Sequence, residues 1–168
     1  MVIFEVSLSE KDVEGIYVRL QPSEMANLTV DEEGAYPEFK LEAGTTILKL
    51  RRVRVAGKVE VVEDRGRLVE VTVSDGKGFA KVRAWNEEAR KLLDLKPGDL
   101  IEVLGVLRVF RGEVYIVLKL FRKIDEKHLS EYLILLKRDR QVLTSQEKRA
   151  SAKECEYRSE MFEGAQKQ

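Results

Sequence analysis

The 168-residue sequence has one cysteine, one histidine, one tryptophan and three prolines, and the scarcity of thiol and imidazole groups narrows the function classes open to it. The lone thiol, Cys155, forms no internal disulfide and supports no cysteine-based metal site. The lone histidine, His128, stands at the entry of a C-terminal helical pattern and reads as a cap or surface residue. No apolar run approaches the roughly 20 residues that cross a bilayer. The opening MVIFEVSLSEKD lacks a basic segment followed by a long apolar one, so the chain reads as cytoplasmic and not secreted. Gly76 and Gly78 flank Lys77 in a turn, without the Lys-Ser/Thr and helix of a phosphate-binding loop. The acid pairs Glu32-Glu33 and Glu87-Glu88 fall in a solvent-facing arm and in a helix first turn. No catalytic group, metal or cofactor is expected, and the sequence reads as that of a non-enzyme.

Charge is abundant but unevenly placed. Residues 1–46 hold 3 Lys and Arg against 10 Asp and Glu, residues 47–124 hold 18 against 11, and residues 125–168 hold 9 against 9. A total of zero therefore conceals segments of −7, +7 and 0. A basic middle is the pattern of a protein that meets a polyanion. The opposing reading is that the acidic arm folds back and neutralises it. Charged residues make up 36% of the chain with both signs interleaved, a composition that suggests a thermophile.

Periodicity divides the chain into an acidic, partly strand-like arm (1–46), a β-rich domain (47–124), a helix (125–143) and a polar tail (144–168) that is frayed helix or disordered. In the domain, TTILKLRRVRVAGKVEVVED is a long first strand, and Gly57 in its interior marks a bulge or bend that lets it serve two halves of a barrel. LVEVTV, GFAKVRAW, DLIEVLGVLRVF and EVYIVLKLF follow. Asn86 caps a short helix between the third and fourth strands, with Ala89, Leu92 and Leu93 on one face. The order β-β-β-α-β-β is that of the OB-fold, a five-stranded barrel. Its interior is assigned to Val53, Val55, Val69, Val71, Val73, Ala80, Val82, Ala84, Ile101 and Val103, with Leu92 and Leu93 plugging one end.

With those positions filling the core, Phe79, Lys81, Arg83 and Trp85 alternate on the outside of the third strand. Aromatic platforms for bases and cations for phosphates are what a protein that holds single strands requires. Arg52 and Arg54 face outward on the first strand, and Arg108-Val109-Phe110-Arg111 sets an aromatic between cations at the tip between the last two strands. Each aromatic also has a plainer reading: Trp85 closing the barrel's end, Phe79 against the arm, Phe110 capping the hairpin. After the barrel, Leu129, Tyr132, Leu133 and Leu136 recur at helical spacing, and Ile134 and Leu135 widen the apolar surface beyond what one neighbour covers.

The phrases VRVAGKV, VSDGKGFAKVRAW, LKPGDLIEVLGVLRVFRGEVYIVLKL and FRKIDEKHLSEYLILL resemble the middle, OB-fold subunit of replication protein A and its archaeal relatives. The resemblance runs from Val53 to Leu136. It implies a single-stranded-DNA-binding subunit of a heteromeric complex for replication, repair and recombination, at the nucleoid if archaeal. By the same resemblance Trp85 and Phe110 stack bases, and the helix face Leu129, Tyr132, Leu133, Leu136 meets partner subunits in a trimer core. The chain departs from the family in its acidic arm and in lacking a winged helix after the trimer helix. Two other readings remain: an assembly protein resembling telomere-capping subunits, and an RNA-binding anticodon-type module.

Overall fold

The computed structural model describes residues 4–6, 17–44 and 46–142. Five strands close a barrel: β6 (Arg52–Asp64), β7 (Leu68–Ser74), β8 (Phe79–Trp85), β9 (Leu100–Phe110) and β10 (Glu113–Lys123). The neighbours run β6-β7-β8-β10-β9, and an added β6–β9 pairing completes the ring. Helix α1 (Asn86–Leu92) lies between β8 and β9, which gives the OB-fold order.

Closure depends on one long strand changing partners. β6 pairs with β9 from Arg52 to Lys58 and with β7 from Lys58 to Asp64, with a register shift between Val59 and Val61. Gly57 sits at the changeover, where an added Cβ would stand 2.6 Å from the Ser74 carbonyl oxygen. No side chain fits there, so glycine permits the two halves to approach.

All ten residues assigned to the barrel interior are buried, as are Ala89 and Leu92. Each aliphatic side chain so placed contributes ~1.5 to 3 kcal/mol. The plug differs from expectation at Leu93, which is exposed, while Leu95 is buried in its place. The chain leaves the helical path at Leu93 and Leu95 is the next residue to turn inward. Asn86 is not a side-chain cap either: it takes φ 58°, and the cap position belongs to Trp85. Asparagine tolerates that left-handed geometry, and it swings the chain sharply from strand to helix while its N–H donates to the Arg67 carbonyl at 2.9 Å.

The arm is more built than its sequence suggested. Strand β2 (Val18–Leu20) joins the barrel sheet alongside β6, in parallel. A 3-10 turn, Pro22–Asn27, follows, and buried Leu20 and Met25 belong to the main core. Ser23 Oγ donates to Asp75 at 2.5 Å, tying this turn to the β7–β8 loop. Strands β1 (Phe4–Val6), β3 (Thr29–Asp31), β4 (Glu38–Ala43) and β5 (Thr46–Leu50) form a second sheet ordered β1-β5-β4-β3. The expected boundary at residue 47 therefore cuts the β4–β5 hairpin. The expected first strand is really two, separated at Arg51, because β5 belongs to the second sheet and β6 to the barrel.

Helix α2 spans 126–142 of the described chain, its start capped by Asp125, which accepts from the His128 backbone N–H at 2.7 Å. The proposed tail, 144–168, and Cys155 lie outside the described residues. Among the described residues no helix is long and apolar enough to cross a membrane.

Candidate nucleic-acid interface

Strand alternation presents the site. In β8, Ala80, Val82 and Ala84 are buried, while Phe79 and Trp85 project outward, 59% and 39% exposed. The neighbouring strand adds Tyr115, a residue that sequence reasoning missed. Its signal was available, because Ile116 and Leu118 are buried and the alternation of EVYIVL turns Tyr115 to the other side. The Trp85 and Tyr115 rings meet edge to face, centroids 6.3 Å apart, an arrangement that aromatic quadrupoles favour.

Arg83 sits between these elements and is half-buried. Its Nε donates to Glu70 at 2.6 Å, a second nitrogen donates to Glu113 at 3.3 Å, and its guanidinium lies 4.4 Å from the centre of the Tyr115 ring. Lys81 is hydrogen-bonded to the same Glu113. Arg83 and Lys81, both expected to meet phosphates, are thus each held by a carboxylate of this chain. Arg83 is a strut that fixes the aromatic ring, and Lys81 shares a carboxylate. Glu113 is held below the ordinary carboxylate value, first by the Lys81 hydrogen bond, against a smaller opposing effect of burial.

At the far tip, Arg111 and Gly112 both have positive φ, 51° and 77°, the conformation of a tight two-residue hairpin turn. The turn holds Phe110 58% exposed, with the Arg111 guanidinium 5.2 Å from the ring centre. Arg108 lies two residues earlier on the same outward side and is exposed. At the opposite end, Gly66, Arg67, Asn86, Glu87 and Arg90 line an open groove of about 540 Å³ beside Trp85. Arg65, in the same turn, is taken by Glu63 at 2.7 Å. Among the described residues, Arg67, Arg108 and Arg111 have no carboxylate at ion-pair distance. These three are exposed, in contrast to the strand cations Lys81 and Arg83, which are held by carboxylates.

Arg52 and Arg54 do not join this face. Arg54 is paired with Glu102, and Arg52 lies over the Tyr17 ring at 6.0 Å. Both stand on the β6 wall that α2 and the arm cover. Glu102 is 1% exposed and also accepts from Arg122 at 2.8 Å and contacts His128 at 3.0 Å. Burial alone would raise its pKa, but hydrogen bonds from Arg122, Arg54 and His128 hold it below the ordinary value. His128 is therefore an anchor within a cluster, not a surface residue.

The helix face is corrected too. Tyr132 and Leu136 are buried within this chain and Leu129 is half-buried, so of the expected partner-binding set only Leu133 is exposed. The Tyr132 hydroxyl lies 2.8 Å from the Leu20 carbonyl oxygen and 2.5 Å from that of Arg54, and burial raises its pKa. Arg140 donates to Glu24 at 3.0 Å and Arg19 to Asp139 at 3.0 Å. The helix packs on its own barrel and arm, leaving Leu133, Ile134, Leu135 and Val142 exposed.

Residues 53–124 match the tRNA anti-codon family, described as an OB-fold nucleic acid binding domain. An uncharacterized 18.7 kDa protein in the ribosomal RNA operon of Thermofilum pendens is 31% identical over 132 residues, 77% of each chain. Among solved structures, a chain of the S. pombe Stn1-Ten1 complex superposes with a TM-score of 0.62 at 17% identity, covering 74% of this chain and 93% of that one. A chain of a replication protein A heterotrimer bound to single-stranded DNA gives 0.54 at 21% identity, covering 68% and 88%. At those identities the two structures show a shared fold.

Proposed function

We infer what this chain does from two premises: it belongs to the same family as the 18.7 kDa Thermofilum pendens protein, and its centre matches an OB-fold nucleic acid binding domain. We propose that it binds single-stranded DNA, without catalysis, as one subunit of a replication-protein-A-like assembly. The observation that carries the reading is the outward set Trp85, Tyr115 and Phe110 on one barrel wall, beside exposed Arg67, Arg108 and Arg111. A folded chain leaves large rings in water only at a loss of burial energy, and stacked bases would restore it at ~1 to 3 kcal/mol each. Phe79 is a lesser contributor at the edge of the set. The one histidine, in the first turn of α2, is engaged with Glu102 and takes no part in this face. Partner subunits fit the exposed apolar residues Leu133, Ile134 and Leu135 of α2, and the replication protein A structure, a heterotrimer, shares the fold.

The test is a titration of labelled oligo-dT with wild type and a Trp85→Ala, Phe110→Ala double variant. The variant is expected to bind at least tenfold more weakly, and equal affinities would remove the site. Competition with oligo-rU separates DNA from RNA, since a module that reads 2′-hydroxyls prefers the ribose strand.

A further inference from the structure

A second groove lies between the β4–β5 hairpin and the barrel, enclosing about 690 Å³. Phe39 and Leu50, both buried, contribute to its walls, and Tyr36, Glu38, Arg51 and Arg108 also line it. Tyr36 is 82% exposed, the most open of the large apolar side chains described. It precedes Pro37, which restricts the backbone on either side, so the ring is presented from a stiff segment.

The groove is continuous with the barrel face. Arg108 lines it, and Phe110 lies two residues along the same strand on the same outward side, about 7 Å away at strand rise. Its cations have the right sign for a phosphate. Arg51 and Arg108 are exposed, neither has a carboxylate at ion-pair distance among the described residues, and Glu38 is the only acid in the lining. A ring, an apolar wall and three cations, Arg51, Arg108 and Lys49, constitute the same recognition chemistry as the barrel face, one step further along the chain's surface.

Building on the single-strand reading, we propose that this groove is a second nucleotide subsite, in which the strand leaving Phe110 places a base against Tyr36 and a phosphate between Arg108 and Arg51. The arm thus extends the footprint of the barrel rather than competing for it.

Fluorescence anisotropy of the full chain with oligo-dT from about 4 to 16 nucleotides, the span of single-barrel sites, tests this. Wild-type affinity rises with length beyond the point at which the barrel face is filled. Tyr36→Ala and Arg51→Ala each abolish that rise, weakening the longest oligonucleotide about tenfold and leaving the shortest binding one unchanged. Trp85→Ala weakens both. Short-oligonucleotide binding retained, with Tyr36→Ala matching wild type at every length, overturns the subsite and leaves the barrel site standing. No binding at any length removes the single-strand reading and the subsite together. Tyr36 is exposed, so its variant should melt like wild type, and the same result with Arg51→Ala guards against a local loop effect.

Discussion

Glu113 bonds both cations that strand alternation set beside the aromatic rings. On the face proposed to meet a strand's phosphates, a carboxylate would repel the ligand and hold Lys81 away from it. Glu113→Gln is therefore expected to tighten oligo-dT binding at neutral pH by about two- to fivefold, the worth of an exposed ion pair, read by anisotropy at low salt. The ordinary value of the group is 4.5 and its own lies lower, mainly through the Lys81 hydrogen bond. Because its pKa is lowered, it remains mostly ionised as pH falls toward that ordinary value, so wild-type binding should tighten chiefly below it, and the variant should show no such step. Weaker binding by Glu113→Gln would mean that the acid positions the site rather than opposing the ligand. The outward placement of Phe79 and Trp85 was legible in FAKVRAW because a period of two fixes faces within one strand. The carboxylates that claim Arg83 were not, since Glu70 arrives through the β7–β8 register and Glu113 from a strand 30 residues further on.

At the level of elements, α2 shows what periodicity does and does not say. Spacings of three and four residues establish that Leu129, Tyr132 and Leu136 share a buried stripe, but not whether the cover is another chain or the same one. Here the barrel's own wall supplies it, through the Tyr132 hydroxyl set between two carbonyls of the parallel strands β2 and β6. Closure of the barrel was legible from five strand patterns and Gly57. The second sheet and the extra barrel strand β2 were not, because β3 to β5 are short and the β1–β5 and β2–β6 pairings are parallel and distant in sequence. Tyr132→Phe keeps the ring and removes the hydroxyl's contacts with the Leu20 and Arg54 carbonyls. A loss of about 1 to 2 kcal/mol is expected, seen as a lowered midpoint in urea with an unchanged slope. Oligo-dT affinity should be unaffected, since α2 and the aromatic face occupy different walls. An unchanged midpoint would show that the hydroxyl carries no share of the anchoring.

Across the whole molecule, the charge asymmetry survives folding where it matters. Within the arm, Arg19 pairs with Asp139 and Glu24 with Arg140, so these two residues turn toward α2 and not toward the barrel face. The cations of that face nevertheless divide into two kinds. Lys81, Arg83 and Arg65 already hold carboxylates, and a cation that stays in its ion pair neutralises no phosphate and so displaces no condensed counterion from the strand. Arg67, Arg108, Arg111 and, in the second groove, Arg51 have no such partner among the described residues. Each phosphate neutralised on a single strand lowers the slope of log K against log salt by ~0.7. The unpaired set thus predicts a slope of about −3 for a long oligonucleotide, whereas engagement of every cation named would give about −5. Glu113→Gln, by releasing Lys81, should steepen the wild-type slope by about 0.7, and Arg111→Ala should flatten it by the same amount. A wild-type slope near −5 would mean that the ion pairs of Arg83 and Lys81 open on binding, and the strut assigned to Arg83 would then have to be a phosphate contact after all.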